Sequence, residues 1–190
     1  MSRRSLWQRH QGWIAKACAL AALILAHPRS QVLFFTGLGL AALGTLLRLW
    51  AAGQLRQEGE LDRTGPYAMM RRPRLAGAGL FIFGLALTCT TLRYPVSSVL
   101  IWSAGVILVW RLLVERALPS EIALESRFGQ SHKLYRAQVP LMLPAPNRIG
   151  AAFKSTDFSF SRVLKNREHL SALSLFALAF ILRCKMAFEL

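Results

Sequence analysis

Five apolar segments separated by basic loops constrain this chain more than any other feature. A hydrocarbon layer of about 30 Å needs about 20 apolar helical residues to cross it. Gln31 to Trp50, Leu75 to Leu92 and Val96 to Val114 meet or approach that length. Trp13 to His27 and Leu170 to Leu182 are shorter, and each fits a tilted span, a re-entrant piece or an interfacial helix. With 54% hydrophobic residues and a positive mean hydropathy, 190 residues cannot form one water-facing domain. The expected fold is therefore an all-α integral membrane protein of about five transmembrane helices, forming one membrane domain over 1–190.

Charge placement orients these spans, because cytoplasmic loops collect Lys and Arg while short translocated loops do not. Of the 24 basic residues, seventeen fall on one side and only Arg29, Arg93, Arg183 and Lys185 on the other, with Lys16, Arg48 and Arg111 inside span ends. The expected N-terminus is cytosolic and the C-terminus lies on the opposite face, in a membrane such as a bacterial inner membrane. The loops around Arg63 and Phe153 are both expected in the cytosol.

Other function classes weaken on the same reading. The arginines before Ala17 to Ala26 also describe a signal peptide, but no small-x-small cleavage site precedes His27. A net charge of +15 invites nucleic acid, yet the charge is spread over membrane-flanking loops, where anionic headgroups account for it and no nucleic-acid partner is expected. Cys18, Cys89 and Cys184 lie in apolar stretches, so neither a disulfide framework nor a metal site is expected.

Punctuation places the hairpins. His27 to Ser30 and Arg93 to Pro95 read as tight turns on the translocated side. Pro119 suits the first turn of a helix that Gly129 ends, roughly Ser120 to Phe128. Residues 145–168 read as a basic interfacial segment in which Phe153, Phe158 and Phe160 sit at headgroup level, and 169–183 as a C-terminal span.

Two blocks exceed what an anchor needs. Gly65, Pro66 and Tyr67, then Arg71, Arg72, Pro73 and Gly77, form a charged, turn-rich loop running into an apolar helix. Glu121, Leu124, Phe128, Gly129, Tyr135, Val139, Pro140 and Pro144 follow the fourth span. Over roughly 47–144 this pattern resembles the isoprenylcysteine carboxyl methyltransferase and phospholipid methyltransferase family of membrane enzymes. The resemblance implies a cytosolic pocket for S-adenosylmethionine, formed by the loop before the third span and the helix after the fourth. It implies methyl transfer to a lipid or prenylated amphiphile, with other membrane lipids as neighbours. The residues it marks are Tyr67, Arg71, Arg72, Gly77, Glu121 and Tyr135 for the cofactor, and Arg71 and Arg136 for catalysis. Methyl transfer from a sulfonium asks chiefly for alignment and exclusion of water. A carboxylate such as Glu121 suits a cofactor amine or ribose, and an arginine suits a carboxylate.

The chain departs from the family pattern at Arg72 (His or Asn), Leu75 (Tyr), Ser120 (Glu) and His132 (Tyr). Two alternatives accompany it: an NADPH-dependent sterol-type membrane reductase, and a non-catalytic membrane protein that keeps the scaffold. Plainer roles stand beside the functional ones. Gly77 and Gly79 also suit close helix packing, Glu125 a solvated face, Arg74 a positive-inside role alone, Tyr67 and Tyr135 interfacial anchoring, and His132 the surface.

Overall fold

The computed structural model describes residues 26, 28–55, 63–91, 93–154 and 158–188. The expected first span, Trp13 to His27, and the acidic residues Glu58, Glu60 and Asp62 lie wholly or mostly outside them. Every regular element among the described residues is helical: α1 (Gln31–Gln54), α2 (Pro66–Met69), α3 (Pro73–Thr88), α4 (Pro95–Leu112), α5 (Leu118–Gln138), α6 (Ile149–Phe153), α7 (Phe160–Lys165) and α8 (His169–Phe188). A π-helical turn, Leu113–Ala117, carries α4 into α5, and a 3-10 turn, Pro146–Arg148, precedes α6.

Among the described residues, three helices are long and apolar enough to cross a membrane: α1, the α4–α5 rod through its apolar α4 part, and α8. The third expected span is shorter than its apolar run. α3 has 16 residues, about 24 Å at 1.5 Å per residue. It stops at Thr88 because a polar corner follows. The Ser98 hydroxyl accepts from the Thr91 amide (3.0 Å) and donates to the Thr91 carbonyl (2.8 Å). Trp102 Nε1 donates to Thr90 Oγ1 at 2.9 Å. At the other end of the chain, α8 is longer than expected and takes Arg183 and Lys185 into its last turns. The Lys185 ammonium is satisfied by the Ala26 carbonyl at 2.7 Å.

Helix starts follow local chemistry. Ser30 caps α1 by accepting from the Leu33 amide. Pro66, Pro73 and Pro95 each open a helix at its first turn, where the missing N–H would have no partner anyway. Gly129 breaks α5 with φ 49° and ψ −123°, at the residue where the sequence ends the short helix, and a second helical stretch then continues to Gln138.

The molecule is organised around α1 against α3. The two run antiparallel with glycines facing: a Cβ on Gly44 would lie 2.5 Å from the Gly77 carbonyl oxygen, and one on Gly84 2.4 Å from the Ala41 amide nitrogen. Gly37 meets Gly84 and Thr88 equally closely. Water drives no association between apolar helices in lipid, so packing at backbone distance supplies the attraction. Phe34, Ala86, Ile101, Leu182 and Met186 close the apolar core where α1, α3, α4 and α8 meet. Trp50 stacks on Phe153 (5.2 Å between centroids), and Phe158 lies over Gly53 at the opposite end of α1.

Because the atoms facing Gly44 and Gly84 are largely backbone, neither site can relax around a methyl group. Gly44→Ala and Gly84→Ala are each expected to destabilise the protein by about 1–3 kcal/mol. Gly39 faces open space, so Gly39→Ala is expected to be neutral or stabilising by up to about 1 kcal/mol through helix propensity. Thermal unfolding of the purified variants in detergent reads the difference.

Candidate functional site

The two motif blocks meet through their backbones. The Arg71 amide donates to the Pro140 carbonyl and the Arg72 amide to the Leu141 carbonyl, both at 2.9 Å, and the Ala145 amide donates to Met69 at 2.9 Å. Pro66 and Pro73 restrict the chain on either side. The intervening residues stay extended at Met70, offering their N–H groups sideways to a partner strand of chain.

Side chains complete the junction. Arg71 donates from Nε to the Val139 carbonyl (2.9 Å) and from Nη1 to Glu121 Oε2. Arg72 Nε reaches the other oxygen, Oε1, at 3.0 Å. Glu121 is 9% exposed, so its charge is held by two guanidinium groups in a poorly solvated place. The buried Tyr135 hydroxyl donates to the Tyr67 carbonyl at 2.6 Å. Arg63 lies over the Tyr135 ring at 5.8 Å and donates to the Ser131 carbonyl at 3.0 Å, adding a cation–π contact. Burial, then the nearby charge of Arg136, lowers the Arg71 pKa from its ordinary value. Burial, then Arg71, does the same at Arg72. Burial pushes the Tyr135 phenol up, which keeps it a hydrogen-bond donor.

The structure thus gathers Tyr67, Arg71, Arg72, Glu121 and Tyr135 into one cluster. Two marked residues stand apart from it. Gly77 packs against Gly44 and the Arg48 stem, so its missing side chain serves helix contact. Arg136 is exposed and pairs with Glu125 at 3.5 Å, where Lys133 also lies 3.9 Å away. Its charge reaches Arg71 only through space.

His132 and Arg74 correct the sequence reading. His132 is 1% exposed, not a surface residue, with Nε2 3.9 Å from Glu121 Oε2 and neither ring nitrogen hydrogen-bonded among the described residues. Arg74 does more than mark a membrane face: its Nε and Nη2 donate to Glu168 Oε1 at 3.0 and 2.6 Å. Arg48 holds the other oxygen of Glu168 at 2.8 Å. The signal for this second cluster was Arg48 itself, since a charge inside an apolar helix needs a partner.

Two cavities flank the junction. An apolar groove of about 890 Å³ runs between α3 and α4, walled by Phe83, Trp102 and Trp110 and roofed by Met69, Met142 and Pro144 from the two blocks. On another side of α3 a polar cavity of about 340 Å³ is bordered by Arg48, Tyr67, Arg72, Arg74, Ser120 and Glu168. Among the described residues no group of His, Cys, Asp and Glu has a metal-holding arrangement. No family model, no curated protein and no solved structure matches this chain.

Burial, then the positive charge of Arg71, lowers the His132 pKa, with Arg72 and Arg136 adding to the effect and Glu125 opposing it. An unfolded histidine takes up its proton as pH falls through about 6.5, while His132 in the fold resists it. Stability carried by this group is therefore present above about pH 6.5 and lost as pH falls through that value towards the folded pKa. The thermal midpoint is expected to drop between pH 7.5 and 5.5, and His132→Phe to flatten the slope. An unchanged slope in the variant would assign the loss to other groups.

Proposed function

We propose that this chain is a membrane methyltransferase that uses S-adenosylmethionine, with its basic face in the cytosol and a lipid or lipid-modified amphiphile as acceptor. The observation that carries the reading is the junction itself. Two blocks about fifty residues apart share Glu121 through Arg71 and Arg72, and the same loops roof an apolar groove between two apolar helices. A polar cluster above a groove of this kind suits a reaction between a water-soluble donor and a lipid-anchored acceptor.

The residues present fit such a cofactor. A ligand ammonium or ribose hydroxyl bonded to Glu121 would also supply the donor that the neutral His132 Nε2 lacks. Arg71, held by the Val139 carbonyl, has a fixed orientation and fits a ligand carboxylate as a planar fork. The protonated Tyr135 hydroxyl fixes the Tyr67 backbone, and the Met69 and Met142 side chains shield the cluster from the groove. When bound, the cofactor supplies a methyl group already activated on a sulfonium. The chain's part is to hold the two reactants in line and keep water out. Acceptors that fit the groove include a carboxylate on a prenylated thioether and an amine on a phospholipid.

One observation favours a second reading, a scaffold without catalysis. Both carboxylate oxygens of Glu121 are taken by arginines, and the one on Oε1 is Arg72, where the family has His or Asn. The two readings diverge on replacing that residue. Calorimetry on the purified protein is expected to show binding of S-adenosylmethionine, and Glu121→Gln to weaken it about ten- to a hundredfold, the value of one charge-assisted hydrogen bond of roughly 1.5–3 kcal/mol. Arg72→His frees one oxygen of Glu121 and is expected to preserve or raise transfer of labelled methyl to extracted lipid. Binding of NADPH instead would favour the reductase. Binding of neither, in wild type and Arg72→His alike, would leave the scaffold.

A further inference from the structure

The polar cavity beside α3 is charged out of balance. Arg48, Arg72 and Arg74 border it, and the acidic residue on its wall is Glu168, bonded directly to Arg48 and Arg74. Glu168 is 4% exposed and takes two arginines, Arg48 through Nε and Nη2 on Oε2 and Arg74 through Nε and Nη2 on Oε1. Both guanidinium groups therefore bind side-on, and Nη1 of each has no hydrogen bond to the described residues. Arg72 spends Nε on Glu121, while its Nη2 is buried with no hydrogen-bond partner among the described residues. A buried donor without an acceptor loses its hydration uncompensated; Arg72 Nη2 is in that position, while Arg48 and Arg74 keep partly exposed side chains beside it.

We infer that this cavity is a binding site for a phosphate-bearing anion. Arginine forks match phosphate oxygens in geometry and charge, and Arg48 and Arg74, with 25% and 38% of their side chains exposed, keep accessible surface at the cavity wall. At about 340 Å³ the cavity holds a phosphate together with the first atoms of its ester. The opposite wall is apolar, made by Leu55, Leu75, Ala78 and Leu112, which suits the carbon side of a phosphate ester. The cavity lies at the ends of α1 and α8, both long and apolar enough to cross a membrane. Arg48 comes from the last two turns of α1, Arg72 from the residue before α3 and Arg74 from its first turn, and Glu168 immediately precedes α8. The same chemistry is offered by an anionic lipid headgroup and by a free phosphate compound. The inference stands on this geometry and does not depend on methyl transfer. The apolar groove lies on another side of α3, so the anion bound here is distinct from a chain lodged there.

Full-length protein in neutral detergent, titrated with sodium phosphate against sodium chloride at matched ionic strength, tests it by thermal midpoint. Native mass spectrometry after reconstitution in phosphatidylcholine vesicles, with and without phosphatidic acid, reads retained lipid. Stabilisation by phosphate beyond chloride is expected if the source is soluble, and retained phosphatidic acid if it is a headgroup; either supports the site. Glu168→Gln releases two arginines and is expected to tighten binding. The double variant Arg74→Gln with Glu168→Gln keeps the net charge of the cavity but removes one fork, and is expected to weaken binding about tenfold. Phosphate equal to chloride with no retained phosphatidic acid would overturn the inference. Binding in the double variant equal to wild type would overturn it too, by showing attraction to net charge alone.

Discussion

Glu121 carries a charge that the surrounding protein solvates poorly, and the arrangement of the whole basic face follows from that. Taking a carboxylate out of water costs several kcal/mol, which only well-placed partners recover. Here the partners are Arg71 and Arg72 from a loop fifty residues earlier. They reach Glu121 in the first turn of α5, and the backbone bonds from Arg71 to Pro140 and from Arg72 to Leu141, just beyond the end of α5, hold them there. Removing any one of the three groups leaves the others charged and desolvated. Such a cluster contributes little net stability against a well-packed apolar alternative, but its contacts tie the two blocks together at these positions.

The glycine contact between α1 and α3 sets the position of that loop. Because Gly44 meets Gly77 at backbone distance, the first turns of α3 sit directly against the last turns of α1, and Arg74 comes level with Arg48. Glu168 then joins both at the head of α8. Arginines at neighbouring positions of one loop thus divide between two carboxylates, Arg71 and Arg72 on Glu121 and Arg74 on Glu168. The polar cavity is the space between these anchors. The same close packing leaves α3 one side for the apolar groove.

What was legible in the sequence was the class of fold and the meeting of the two blocks. Apolar length and proline positions located the helices, and Gly129 marked the break in α5, because those signals act locally. The association of Arg71 with Glu121 was accessible only through the resemblance of the two blocks to a known pattern. His132 and Glu168 were missed for one physical reason. A polar residue in a basic, irregular segment looks solvated until tertiary contacts bury it, and no local pattern encodes that burial. The α3 end at Thr88 was overrun for a similar reason, since the hydroxyls of Thr90, Thr91 and Ser98 form the corner across the turn. Gly77 shows the reverse case: two roles were open to it, and the structure places its bare face against Gly44.

The central claim is that Glu121 and Arg71 couple two distant blocks into one site. A double-mutant cycle with Arg71→Gln, Glu121→Gln and the pair, followed by unfolding in detergent, measures that coupling directly. Arg71→Gln leaves Glu121 with Arg72 alone, Glu121→Gln leaves both arginines without their carboxylate and the pair leaves only Arg72 so, so the pair is predicted to cost less than the sum of the singles by about 1.5–3 kcal/mol. Additivity within about 0.5 kcal/mol would contradict the account, because it would mean that the two side chains contribute independently.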